Sequence, residues 1–259
     1  MRTHLRRPAV AIVTSISLGL GVGVATTMYS VGHSLLGRAL SVDDPERVVR
    51  AVRDPAGVAI FSGPELERLQ AASAGVAEWV GHQMNEAVYH VGDGPPARAW
   101  FEMVGPRYFA LFGGGIAHGR YPADDGVGAD REVLLSHAFW TRLGADPGLL
   151  GDALSLNGEP FTITGVAPPG FRGTLPGLRV DLWAPLSAQL VLLPRSGSLT
   201  SEQDRFLFAT GRLLPGSDRD RLDARLAGMV LEPMAGGGSS ASSPHAEAAA
   251  GLLPLIQRV

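Results

Sequence analysis

The sequence contains neither cysteine nor lysine. Without cysteine there is no disulfide, no thiolate nucleophile and no Cys-based zinc site. All 22 basic residues are arginine, so the chain also lacks the lysine of a phosphate-binding P-loop and that of a Schiff-base enzyme. Any ATP that drives this protein is hydrolysed by another chain. An excess of charge is missing too: the formal net charge is −3 and the arginines are scattered, which gives no electrostatic basis for binding nucleic acid. What is present is apolar matter. With 45% hydrophobic against 18% charged residues over 259 positions, the chain can bury one or two ordinary cores and is not a disordered polypeptide.

Charge is absent altogether from Pro8 to Gly37, and residues 9–31 read AVAIVTSISLGLGVGVATTMYSV. As a helix rising about 1.5 Å per residue, this stretch reaches roughly 35 Å, enough for a hydrocarbon core of about 30 Å. Arg2, Arg6 and Arg7 precede it, and Arg38, Asp43, Asp44 and Glu46 follow it. The positive-inside rule then places residues 1–8 in the cytoplasm and exports everything beyond the helix. The alternative is a cleaved signal peptide, whose apolar region runs about 7–15 residues before a small-residue cleavage site. This stretch is longer and no clean A-x-A follows it, and either reading exports the remainder. Ser15, Gly19 and Gly23 fall four apart, as do Ser17, Gly21 and Ala25. These two ridges are expected to pack against other membrane helices, although small residues are common in such segments.

Beyond the turn-rich exit SVDDPER at 41–47, the pattern predicts a strand at 48–52. A helix follows from an N-cap at Ser62 to about Ala72, with Pro64 and Glu65 in its first turn. Strands are expected over 76–91 and 97–104 around the turn GDGPP, then a short helix at 106–112 stopped by Gly113, Gly114 and Gly115. A strand at 132–135 leads into a helix at 136–143. The runs 153–156 and 161–166 flank Asn157-Gly158, a hairpin signal. Further strands at 180–184 and 205–213 and an amphipathic helix at 218–230 complete an α+β pattern with no Rossmann-type βαβαβ series. Residues 235–251, AGGGSSASSPHAEAAAG, read as a flexible linker.

No constellation among these elements reads as a catalytic or metal centre. Ser136 and His137 are adjacent at a helix start and point in different directions, with no G-x-S-x-G around them; Ser136 reads as an N-cap. His82, His90, His118 and His137 lack the i, i+4 spacing of a helical zinc site. Gly113 to Gly115 precede no Lys and hydroxyl residue and read as a helix stop. Asp124 with Asp125, and Asp218 with Asp220, read as solvated loop and helix-start charges. Trp79, Trp100, Trp140 and Trp183 are expected in cores, an exposed one being free to touch a partner.

The order of short motifs carries a resemblance that none of them carries alone. Leu134-Leu135-Ser136-His137-Ala138-Phe139-Trp140 is followed by Gly144-Ala145-Asp146-Pro147, Gly151, Leu156-Asn157-Gly158 and Gly165-Val166-Ala167-Pro168-Pro169-Gly170-Phe171. Around them lie Ser34-Leu35-Leu36, Asp44-Pro45-Glu46-Arg47, Tyr108-Phe109, Gly119-Arg120, Trp183-Ala184-Pro185-Leu186, Gly211-Arg212-Leu213 and Pro215-Gly216. Over residues 8–231 this series resembles the periplasmic core domain of MacB-type ABC transporter permeases, within the wider FtsX-type group. Residue 39, often Pro in that group, is Ala here.

The resemblance implies one N-terminal transmembrane helix (9–31), then a two-lobed mixed α/β periplasmic core domain over 32–231 with lobes at 48–135 and 136–231, then a flexible tail at 232–259. It implies a membrane subunit of an ABC-type export or mechanotransmission complex. Its partners would be the bilayer, a separate ATPase subunit, further permease helices and a second copy of itself as a homodimer, with no nucleic acid and no cofactor. The family carries three more membrane helices after this domain, and nothing after residue 231 has that length and character. The expectation is a truncated or split permease. The rival readings are an anchored, non-transporting binding or adaptor module and, third, an exported hydrolase. No enzymatic activity is expected.

Overall fold

The computed structural model describes residues 42, 44–52, 60–92, 94–123, 128–175, 178–194, 197–227 and 229, the strand 255–258, and the isolated positions Gly19 and Gly23. The last two are helical and exposed, and they are all that is described of the unit Met1–Ala39. Among the described residues no helix is long and apolar enough to cross a membrane. The expected transmembrane segment 9–31 therefore lies outside them apart from these two glycines.

The second unit carries ten strands and five α-helices among its described residues: β1 Val48–Val52, α1 Gly63–Ala72, β2 Ala77–Val91, β3 Ala97–Val104, α2 Tyr108–Phe112, β4 His118–Gly119, β5 Glu132–Leu135, α3 His137–Arg142, β6 Ala153–Leu156, β7 Glu159–Val166, β8 Leu182–Pro185, α4 Gln189–Leu192, β9 Phe208–Leu213, α5 Arg219–Leu226 and β10 Leu255–Arg258. Local chemistry sets several boundaries. At α1 the Ser62 hydroxyl accepts from the Glu65 N–H at 3.3 Å while the Ser62 N–H donates to Glu65 Oε2 at 2.9 Å. That reciprocal box satisfies two donors a bare helix start would leave unpaired. Ser136 caps α3 by accepting from Phe139 N–H at 3.2 Å, and Asp218 caps α5 by accepting from Arg221 N–H at 2.9 Å.

Strand pairing divides this unit into two parts that share β2. In the first, β10, β1, β9 and the start of β2 form an open antiparallel sheet. One face of it buries Val49, Ala51, Trp79 and Ala209 with Leu69 of α1 and Leu222 and Leu226 of α5. In the second, β2 pairs with β3, β3 with β8, β8 with β5, β5 with β7, β7 with β6, and β6 again with β2. This closes a ring of six strands, which leaves no free edge within it. Phe101, Met103, Leu135, Phe161, Ile163 and Leu182 belong to its core, with Phe139 of α3. Each fully buried side chain of this size contributes roughly 1.5–3 kcal/mol.

Two lobes are present, but the expected division at 135/136 is corrected. The open sheet is assembled from both ends of the chain, because β9 returns to lie between β1 and β2. β5, placed at the end of the first expected lobe, pairs with β7 and β8 inside the second. Of the expected flexible tail 232–259, only Leu255–Arg258 is described, as the strand β10 on the outer edge of β1.

Candidate functional site

Where the open sheet meets the ring, a group of polar side chains is sealed inside the protein. Alternate residues of β3 share a face, so Arg98, Trp100, Glu102 and Val104 point the same way. Trp100 is 49% exposed, whereas Glu102 is fully buried. The difference lies in what covers each position: Tyr108 and Phe112 of α2, and Ala167, Phe171 and Val180 of the loop before β8, pack with Val104 and Trp183 over that end of the strand.

A buried carboxylate needs partners, and Glu102 has them on three sides. Its Oε2 accepts from Trp183 Nε1 at 2.8 Å and from the Tyr108 hydroxyl at 3.1 Å. Its Oε1 lies 2.8 Å from His82 Nδ1, both side chains being fully buried. That last contact has ion-pair length without the alignment of a hydrogen bond. The opposite ring nitrogen, His82 Nε2, is 2.8 Å from Thr210 Oγ1 on β9. Thr174 closes the cover: its N–H donates to the Tyr108 hydroxyl at 3.0 Å, and its carbonyl accepts from Arg50 Nη2 on β1 at 3.3 Å.

Electrostatics follow from this enclosure. Burial, reinforced by the neighbouring Glu102 charge, pushes the Tyr108 phenol well above its ordinary range. Tyr108 is therefore a neutral donor to the carboxylate. Desolvation lowers the Arg50 guanidinium, and the attraction of Glu102 opposes that shift. His82, Glu102, Thr174 and Thr210 are each 0% exposed, so these four side chains are closed to solvent. The cluster can fix geometry across seven chain segments.

Of the residues singled out in the sequence, the structure brings His82 and Trp183 into this cluster and disperses the others. Ser136 is a cap, and the His137 ring packs against Trp140 with centroids 5.5 Å apart. His118 on β4 lies on the same indole at 5.0 Å. His90 is exposed at the end of β2. Trp79 donates to Ser73 Oγ and Trp140 to the Asp146 carbonyl. Gly113 N–H donates to the Phe109 carbonyl at 2.8 Å, ending α2 as expected. Asp124 and Asp125 lie outside the described residues. Among the described residues no group of three or more His, Asp or Glu is placed to hold a metal ion.

Arg50, Glu102, Tyr108, Thr174 and Thr210 were not legible as a cluster. The one available signal was Glu102 itself, a lone acid between the apolar neighbours Phe101 and Met103 in a strand.

The MacB-like periplasmic core domain family model matches residues 11–229. No curated protein matches the chain. Among solved structures, the periplasmic region of MacB from Actinobacillus actinomycetemcomitans is similar with a TM-score of 0.55 and 14% identity, over 82% of this chain and 88% of that one. A permease-protein domain from Porphyromonas gingivalis gives 0.53 and 19% over 73% and 85%. The extracellular domain of the noncanonic ABC-type transporter YknZ from Gram-positive bacteria gives 0.50 and 15% over 69% and 88%. At these identities the likeness is one of fold.

Proposed function

Because this chain belongs to the MacB-like periplasmic core domain family, we propose that it is a membrane subunit of an ABC-type export or mechanotransmission complex, coupling ATP hydrolysis by a separate subunit to work outside the inner membrane. The observation that carries this reading is the extent of the family match, which spans both lobes and begins at residue 11, inside the apolar segment. The absence of lysine supports it from a different direction, since a phosphate-binding P-loop is impossible here and the nucleotide chemistry belongs elsewhere. The architecture suits the task. A single long strand, β2, runs from the open sheet into the closed ring, so a displacement delivered to one lobe has a continuous backbone path into the other.

The test is co-expression of the full chain with any ABC ATPase found in the neighbouring reading frames, followed by affinity purification in detergent. The expected result is a stable complex whose ATPase rate differs from that of the ATPase alone. A chain that purifies without any ATPase and leaves its rate unchanged would overturn the coupling role and favour the anchored, non-transporting adaptor.

A further inference from the structure

We propose that His82 is a latch between the two lobes: its imidazole holds open sheet and ring in one relative setting, and releasing it lets them turn about β2. Its purpose in a working complex rests on the coupling role proposed above, but the latch itself is a property of this domain.

Backbone pairing makes β2 a strap whose one edge carries β9 of the open sheet and, further along, β6 of the ring at residues 89–91, while its other edge carries β3 of the ring. Residues 77–82 pair with β9 on one side, and residues 82–89 pair with β3 on the other. The two ladders overlap at one paired residue, His82, which faces Phe208 in one and Val104 in the other, and one more backbone bond, Gly105 N–H to the Gly81 carbonyl at 2.9 Å, carries the second a step further. A ladder resists shear along its own length, but so short an overlap offers little resistance to twist between the two.

The angle is therefore set by side chains, and the most deeply buried polar ones converge on the same residue, through one hydrogen bond to the open sheet and one contact of ion-pair length to the ring. His82 Nε2 reaches Thr210 of the open sheet at 2.8 Å, and Nδ1 reaches Glu102 of the ring at 2.8 Å. Glu102 is in turn held by Trp183 of β8 and Tyr108 of α2. Two further polar ties cross the seam nearer the surface, Arg50 of β1 to the Thr174 carbonyl at 3.3 Å and Arg107, ahead of α2, to Glu78 of β2 at 3.0 Å. The apolar cover contains Val48 and Val80 from the open sheet and Leu134 and Trp183 from the ring. Such contacts tolerate sliding, whereas the His82–Thr210 hydrogen bond weakens steeply off axis. Imidazole suits the role because both of its nitrogens can be engaged at once, in the neutral or the protonated ring.

The absence of cysteine makes the test direct. Paired cysteines are introduced at Ala224, exposed on α5, and Thr162, exposed on β7, and spin-labelled in the purified full chain for distance measurement by electron resonance. The parent is expected to give one narrow distance population. Thr210→Val, which removes the hydroxyl at nearly constant volume, and Glu102→Gln are each expected to add a second, displaced population. Thr210→Ser, which keeps the hydroxyl, should restore the single one. An unchanged single population in Thr210→Val overturns the latch, whether or not Glu102→Gln folds, and so does a second population that persists in Thr210→Ser. No ATPase is present in this measurement, so its failure is separate from failure of the coupling role, which is read from ATPase rate.

Discussion

At the scale of single residues, the polar cluster at the seam tolerates little change. Gly173 adopts φ +81°, a conformation that strains any residue with a Cβ. A Cβ built there would lie 2.9 Å from Glu102 Oε2 and 3.1 Å from the Tyr108 hydroxyl. Gly173→Ala is therefore expected to lower unfolding free energy by about 2–3 kcal/mol from strain and overpacking together, read as a shifted denaturation midpoint at unchanged slope. The surface pair Arg120–Glu132 behaves differently. Hydrogen bonding from Arg120 holds the Glu132 carboxyl below its ordinary range. A carboxyl depressed in the folded state contributes stability that is fully present above its unfolded value and is lost as pH falls through the folded one. Glu132→Gln should be less stable than the parent at neutral pH and converge with it in acid. The gap stays under about 1 kcal/mol because Arg120 is largely exposed to solvent.

At the scale of elements, the hairpin of β6 and β7 shows how two turn residues fix a register. Asn157 and Gly158 have φ of 52° and 89°, the signature of a type I′ turn, and Leu156 faces Glu159 across it. The Asn157 side chain also accepts from Val88 N–H at 3.0 Å, tying the turn to β2. Asn157→Ala loses a residue type suited to that conformation together with this bond, and is expected to cost about 2 kcal/mol, measured by chemical denaturation. This hairpin was legible because both determinants are local. The extents of β1, β3, β5 and β6 were legible for the same reason: each is a short apolar or alternating run bounded by turn residues. Boundaries slipped where tertiary contacts decide them. The strand expected at 205–213 begins at Phe208, since Arg205 is drawn away to the buried carboxylate of Glu65 at 2.9 Å.

At the scale of the whole molecule, the domain belongs to a family of periplasmic core domains, and the orientation of the chain is open to a direct test. An alkaline phosphatase fused after Val259 is expected to be active, as an exported enzyme is, while a reporter that works in the cytoplasm should be silent there. Reversed activities would overturn the orientation read from Arg2, Arg6 and Arg7.

The sequence by itself determined the exclusions, most of the local elements and the family resemblance, because each of these depends on composition or on residues near one another in the chain. Only the tertiary structure decided the lobes and the cluster between them. Strand pairing has no local signal for partner choice, so the return of β9 to the side of β1 and β2, and the closure of β6 onto β2, could not be read from patterning. The cluster is the sharper case: Arg50, His82, Glu102, Tyr108, Thr174, Trp183 and Thr210 come from seven separate stretches. What joins them is the cost of burying Glu102, a demand that exists only once α2 and the loop before β8 have closed over β3.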